Sequence, residues 1–170
     1  MNGLIHVAQV INECQRVSGR KKLQKIVHIL QCCGVDFPHE FGYLHYGPYS
    51  PQLRSDLESL EKMNLIKEEE SSTQTGYPQY DCEALPALGE TLGSLAVESP
   101  SWSSHAKKLN QMATPLLEAM STILFLQNRG FNGSRLKERF ESLKPSLVNR
   151  FEDATKEIRD LQTEDLLSFN

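Results

Sequence analysis

Residues 50–82 read SPQLRSDLESLEKMNLIKEEESSTQTGYPQYDC. Ser50 is placed to cap the free N–H groups of a helix, and Pro51 fills a first-turn position where a missing N–H costs nothing. Leu53, Leu57 and Leu60 then recur on one helical face, and Asn64 tolerates the left-handed conformation that ends a helix. Leu65 to Glu69 and Tyr77 to Cys82 are short extended segments on either side of the polar tip Glu70 to Gly76, so the stretch predicts a helix followed by a hairpin.

Working outward toward the N-terminus, Leu4, Val7, Ala8 and Ile11 trace one apolar helical stripe, interrupted at Ser18-Gly19. Leu23, Ile26, Val27 and Leu30 trace a second after the basic run Arg20-Lys21-Lys22, with Gly34 as its stop. Phe37 to His45, broken by Pro38 and Gly42, reads as an extended connection with a short strand at Tyr43 to Tyr46. Helix, helix, helix, hairpin is the order of a winged helix.

Toward the C-terminus, Pro86, Gly89, Gly93 and Pro100 mark a transition with room for a short helix near Glu83 to Leu95. From Ser104 the pattern is helical again, with Pro115 kinking or restarting the element and Thr114 as its cap. A short helix follows Ser134, and a last one, after Pro145, carries Leu147, Phe151, Ala154 and Ile158; the tail to Asn170 is expected to fray. The expected fold is mainly α with a small β-hairpin. A winged-helix-like module over residues 1–84 leads through a connecting segment, 85–103, into a helical C-terminal region, 104–170, that packs on it.

Composition narrows the function classes. The 170 residues carry a formal net charge of -4, with 39% hydrophobic and 24% charged residues, which is ordinary globular usage. A global attraction to phosphate is absent, so any nucleic-acid face must be local. The four cysteines, Cys14, Cys32, Cys33 and Cys82, show no CxxC spacing and read as reduced thilols of a cytoplasmic protein. The longest apolar run, Leu116 to Leu126, contains Glu118 and falls far short of the roughly 20 residues that span a bilayer. It is nonetheless apolar on nearly every side and must be covered, either within the chain or by a homodimer built through the C-terminal helices.

At Gly19-Arg20-Lys21-Lys22-Leu23-Gln24-Lys25 and Tyr46-Gly47-Pro48-Tyr49-Ser50, followed by Leu53 and Leu60, the chain resembles the YwgA family of small bacterial proteins. Leu117 to Leu126 and the Leu143-Lys144-Pro145 turn extend the resemblance over most of the chain. More distantly, over roughly the first half, the basic helix, the Gly-Pro turn and the capped helix are similar to the Panacea domain of bacterial and phage antitoxins, including SocA-like adaptors. That resemblance implies a protein-binding role in which the domain neutralises or delivers a partner.

The residues themselves allow a binding surface or a structural one, the cations as the solvated face of an amphipathic helix and the tyrosines as a seal on the third helix. Arg20, Lys21, Lys22 and Lys25 place positive charge at the start and on one side of the second helix, suited to phosphate or to an acidic partner. Tyr46 and Tyr49 flank a turn stiffened by Gly47 and Pro48, and tyrosine offers contact area at small entropic cost. In a DNA reader the third helix would enter the major groove, with Arg54 toward a guanine. There, however, Arg54 and Lys62 are outnumbered by Asp56, Glu58 and Glu61, and the wing runs Lys67-Glu68-Glu69-Glu70, so the charge has the wrong sign.

His28, Cys32, Cys33, His39 and His45 lack metal-ligand spacing, and no phosphate loop, GxSxG elbow or HExxH motif is present. The expectation is a protein-interaction or regulatory module without metal, cofactor or catalytic residues, which binds another protein through Arg20, Lys21, Lys22, Lys25, Tyr46, Tyr49 and Arg54. The alternative is a DNA-binding transcriptional regulator.

Overall fold

Caps, apolar stripes and strand breaks fix the local elements of a computed structural model that describes residues 2–164. Helix α1 (Asn2–Cys14) runs into a three-residue strand, β1 (Arg16–Ser18), and then helix α2 (Arg20–Cys32). A tight hairpin of β2 (Gly42–Leu44) and β3 (Gly47–Tyr49) leads into α3 (Pro51–Lys62), and a longer hairpin, β4 (Ile66–Ser72) with β5 (Pro78–Ala84), closes the first half. Five further α-helices follow: α4 (Pro86–Ser94), α5 (Ser103–Gln111), α6 (Thr114–Asn128), α7 (Gly133–Leu143) and α8 (Phe151–Thr163), the last entered through a 3-10 helix, Pro145–Arg150. With 62% of the described residues helical, the fold is mainly α with small antiparallel sheets.

Helix α3 begins as its sequence dictates. Ser50 Oγ accepts from the Leu53 N–H at 3.3 Å and Pro51 occupies the first turn. The buried Gln24 side chain brackets the same residue, donating to Ser50 O at 3.0 Å and accepting from Ser50 N at 2.9 Å, which fixes the start of α3 against α2. At the other end Asn64 adopts φ 58, the left-handed stop.

Two strands were not foreseen. β1 adds to the hairpin edge, pairing antiparallel with β5 through Arg16↔Glu83, Val17↔Cys82 and Ser18↔Asp81, to give a sheet ordered β1-β5-β4. β3 contains Gly47 and Pro48, two poor strand formers, and exists because Tyr43 and Leu44 pair with it across the turn. The β4–β5 strands also run further than expected, to Ser72↔Pro78, so the tip is shorter.

Pro115 restarts the long apolar helix: α5 ends at Gln111 and α6 begins at Thr114, with Ala113, not Thr114, in the cap position. The segment after Pro145 opens as 3-10 before becoming α8. The expected fraying of the tail concerns residues 165–170, which lie outside the described residues.

Helix α6 is the axle on which the halves meet. It packs against α2 and β3 on one side and α7, the 3-10 helix and α8 on the other. Leu117, Ala119, Met120, Ile123, Leu124 and Leu126 are all buried by this chain alone. The cover that this stretch demands is therefore intramolecular, and the reason for expecting a homodimer there falls away. No helix among the described residues is long and apolar enough to cross a membrane.

Candidate functional site

Of the cations expected on one open flank, the structure disperses most. Arg20 sits at the exposed start of α2 and grips the Glu68 carboxylate of β4 through Nη2 at 2.6 Å and Nε at 3.1 Å, while its guanidinium lies 4.1 Å from the Tyr80 ring centre. Arg54 on α3 reaches the same Glu68 at 2.9 Å and Glu58 at 3.3 Å. Burial pushes the Glu68 carboxyl up, but the hydrogen bonds and charges of the two arginines outweigh it and hold it below the usual range. Arg54, expected to face a partner or a guanine, is held by two carboxylates.

Lys25 is not on the surface at all. It is fully buried, and its Nζ donates to Pro48 O at 2.6 Å. Desolvation lowers its ammonium to about 7, with Glu118 pulling it back up and Lys144 and Lys21 pressing it further down. Lys22 is half-buried and donates to Asn110 O at 2.5 Å, and burial lowers its pKa too. Both depart from the exposed flank expected of them, because α2 runs through the middle of the molecule against α5, α6, β1, β3 and β5. Lys21 alone of the three lysines remains exposed, 5.6 Å from the Tyr46 ring centre. Tyr46 and Tyr49 are half-buried and meet edge to face at 6.0 Å.

Two cavities adjoin Lys21. The larger, about 980 Å³, is a groove between the start of α2, the tip of the β4–β5 hairpin and the start of α6. Arg20, Lys21 and Lys22 line it together with the hydroxyl-bearing and amide side chains of residues 72–75, Tyr77, Gln79, Tyr80 and Thr114, and not one Asp or Glu lies in its wall. Tyr77 is 71% exposed at its rim, a large aromatic left uncovered. The first N–H groups of α2 face no capping side chain, since Gly19 holds the cap position, so the positive end of the helix dipole adds to the lysines. The smaller cavity, about 350 Å³, is lined by Lys21, His45, Tyr46, Glu118, Lys144 and their neighbours up to Ser146. Lys144 donates to His45 O at 2.7 Å and to Glu118 Oε1 at 2.9 Å.

Sequence reasoning missed Tyr77, Tyr80, Glu68, Glu118 and Lys144. The last two stood inside the stretches that carried the family resemblance, and an acidic residue within an apolar helix was itself a signal. Tyr77 and Tyr80 carried none, because their shared edge depends on how the hairpin tip folds toward α2.

Pairs suggestive of catalysis are built for packing. His28 Nδ1 lies 2.6 Å from Ser121 Oγ, but both residues are buried, and desolvation lowers the imidazole to about 3. His39 Nε2 lies 2.6 Å from Asp56 Oδ2, tying the loop after α2 to α3. Burial pushes the thiols of Cys14 and Cys33 up to about 11 and those of Cys32 and Cys82 to about 12, so they are protonated and poorly nucleophilic at neutral pH. Among the described residues no group of three or more His, Cys, Asp or Glu is arranged to hold a metal ion.

No family model matches the sequence. The chain is similar to the uncharacterised protein YwgA of Bacillus subtilis (strain 168), with 26% identity over 136 residues that make up 80% of each chain.

Proposed function

We propose, starting from the place in the YwgA family that this similarity supports, that the chain is a non-catalytic protein-interaction module on a winged-helix scaffold, acting as an adaptor, an antitoxin-like inhibitor or a regulator. The succession α1, β1, α2, the β2–β3 hairpin, α3, β4, β5, with β1 added to the edge of the β4–β5 hairpin, is the basis for reading a winged helix. Four unpaired cysteines accord with a cytoplasmic setting.

One observation carries the choice of a protein over DNA. The helix that would have to enter a DNA groove has its arginine held by Glu58 and Glu68, whereas the groove beside α2 sets Lys21 and Lys22 beside two tyrosines, with Arg20 alone of its cations tied to a carboxylate among the described residues. An acidic, partly aromatic protein segment fits the second surface, and carboxylates on the first repel phosphates.

The test is capture of a stoichiometric partner from host lysate by the full chain, repeated with Lys21→Glu and Tyr77→Ala. Both variants should weaken retention about tenfold, which is ~1.4 kcal/mol, with unfolding midpoints unchanged. Loss of neither, or no partner at all, counts against the reading. Binding of genomic DNA fragments at about 50 mM salt, where phosphate contacts are strongest, that vanishes in Arg54→Ala would put the DNA regulator in its place.

A further inference from the structure

Beneath the β2–β3 turn the molecule gathers more positive charge than it neutralises. Lys25 is fully buried, and the Lys144 side chain is 7% exposed. Their ammonium groups cap backbone carbonyls on the two sides of Gly47, Lys25 at Pro48 O and Lys144 at His45 O, and the pair shares one carboxylate, Glu118, which itself is 14% exposed. An ammonium offers three donors. Lys25 uses one and Lys144 two within the protein, which leaves two donors on the first and one on the second. Thr122 Oγ1, also fully buried, has no hydrogen-bond partner among the described residues and lies 3.5 Å from where a side chain at Gly47 would begin, beside Lys25 Nζ at 3.4 Å. Burying an ion without compensation costs several kcal/mol, so this arrangement invites a counter-ion.

The smaller cavity opens at the same place. At about 350 Å³ it lies within the range of small-molecule sites. Its wall includes Lys21, Lys144, His45, Tyr46 and Ser146; Glu118 is also in the wall, already engaged by Lys144. With Lys25 protonated, Lys21, Lys25 and Lys144 against Glu118 leave two positive charges, the complement of a dianion. A singly charged carboxylate or chloride would leave one of them uncompensated.

We propose that this cavity is a binding site for the phosphate dianion of a small phosphomonoester, with Lys21 and Lys144 as direct ligands and Lys25 supplying field from behind the wall. The site shares Lys21 with the groove but does not rest on the groove's partner. The low pKa of Lys25 accords with it: a dianion nearby favours the charged ammonium, so binding draws a proton onto the protein.

Isothermal titration of the full chain with glycerol 3-phosphate, inorganic phosphate and, as control, acetate at matched ionic strength tests the site. Saturable one-to-one binding of the phosphates and none of acetate is expected, with proton uptake visible as a dependence of the heat on buffer ionisation enthalpy. Tighter binding of glycerol 3-phosphate assigns the rest of the cavity to the ester's organic part; equal affinity assigns the site to phosphate itself. Lys21→Ala, at an exposed position, should weaken binding about tenfold, and Lys144→Met should abolish it. Should Lys144→Met fail to fold, Ser146→Ala joins Lys21→Ala in carrying the test. No saturable binding by the wild-type chain, or affinities untouched by Lys21→Ala, overturns the proposal.

Discussion

Charge is managed in opposite ways at the start of α2 and in its middle. At its start, Arg20 and, from α3, Arg54 meet at Glu68, and Arg54 has Glu58 besides, so both arginines are matched by carboxylates. Five residues on from Arg20 the balance reverses, and buried Lys25 and Lys144 divide a single Glu118. In the first arrangement two arginines have Glu68 and Glu58 to share, whereas in the second two ammonium groups share one carboxylate where each is costly to leave unpaired. A residue count cannot tell these apart; only the position of each carboxylate does.

The contrast makes the buried middle the sensitive one. Removing Lys144 by Lys144→Ala leaves Glu118 without its partner and the β2–β3 turn without a tether, and should cost about 3 kcal/mol in urea unfolding. A cost under about 1 kcal/mol would show that the cluster is as well solvated as the surface pairs.

The pH profile sharpens the same point. The folded-state pKa of Lys25 is lowered from 10.5 to about 7, so between those values the unfolded chain binds a proton that the folded chain does not. Stability therefore rises with pH, by about 2 kcal/mol between pH 7 and pH 9, and half-buried Lys22 adds to the slope in the same direction. Above pH 9 the four raised thiols oppose it, because the unfolded chain then loses protons that the folded one keeps. Thermal melts of Lys25→Met should flatten the rise; an unaltered slope assigns it elsewhere.

Gly47→Ala comes next. At φ +95 an added Cβ is strained, and it would stand 3.4 Å from Lys25 Nζ, so about 1 to 2 kcal/mol is expected from the same melts. Last, a double-mutant cycle on Arg54 and Glu58 should return less than about 0.5 kcal/mol, the ordinary yield of an exposed i,i+4 pair. A coupling near that of the buried cluster would erase the distinction between the two regions.

Much of the fold was legible because its signals are local. Ser50-Pro51 announces α3, Asn64 ends it, and the apolar stripes of α1 and α2 lie where their spacing puts them. β1 and β3 were not, since three residues each carry no periodicity and their pairing is decided by distant partners. The site was less legible for one physical reason. An amphipathic stripe implies one wet face, yet in α2 every residue from Leu23 to Leu30 is buried, so the polar positions Gln24, Lys25 and His28 are interior and bonded to Ser50, Pro48 and Ser121. Only Arg20 and Lys21 of the basic run kept the exposure that the pattern promised, and Arg20 is engaged by Glu68.

Glu68 holds two guanidinium groups that belong to different helices. The sign of that face thus depends on one codon. Replacing this glutamate with a neutral residue would turn both arginines toward solvent together while the helices and the hairpin kept their places. A lineage built on this scaffold can in this way exchange one kind of binding partner for another without inventing a new architecture.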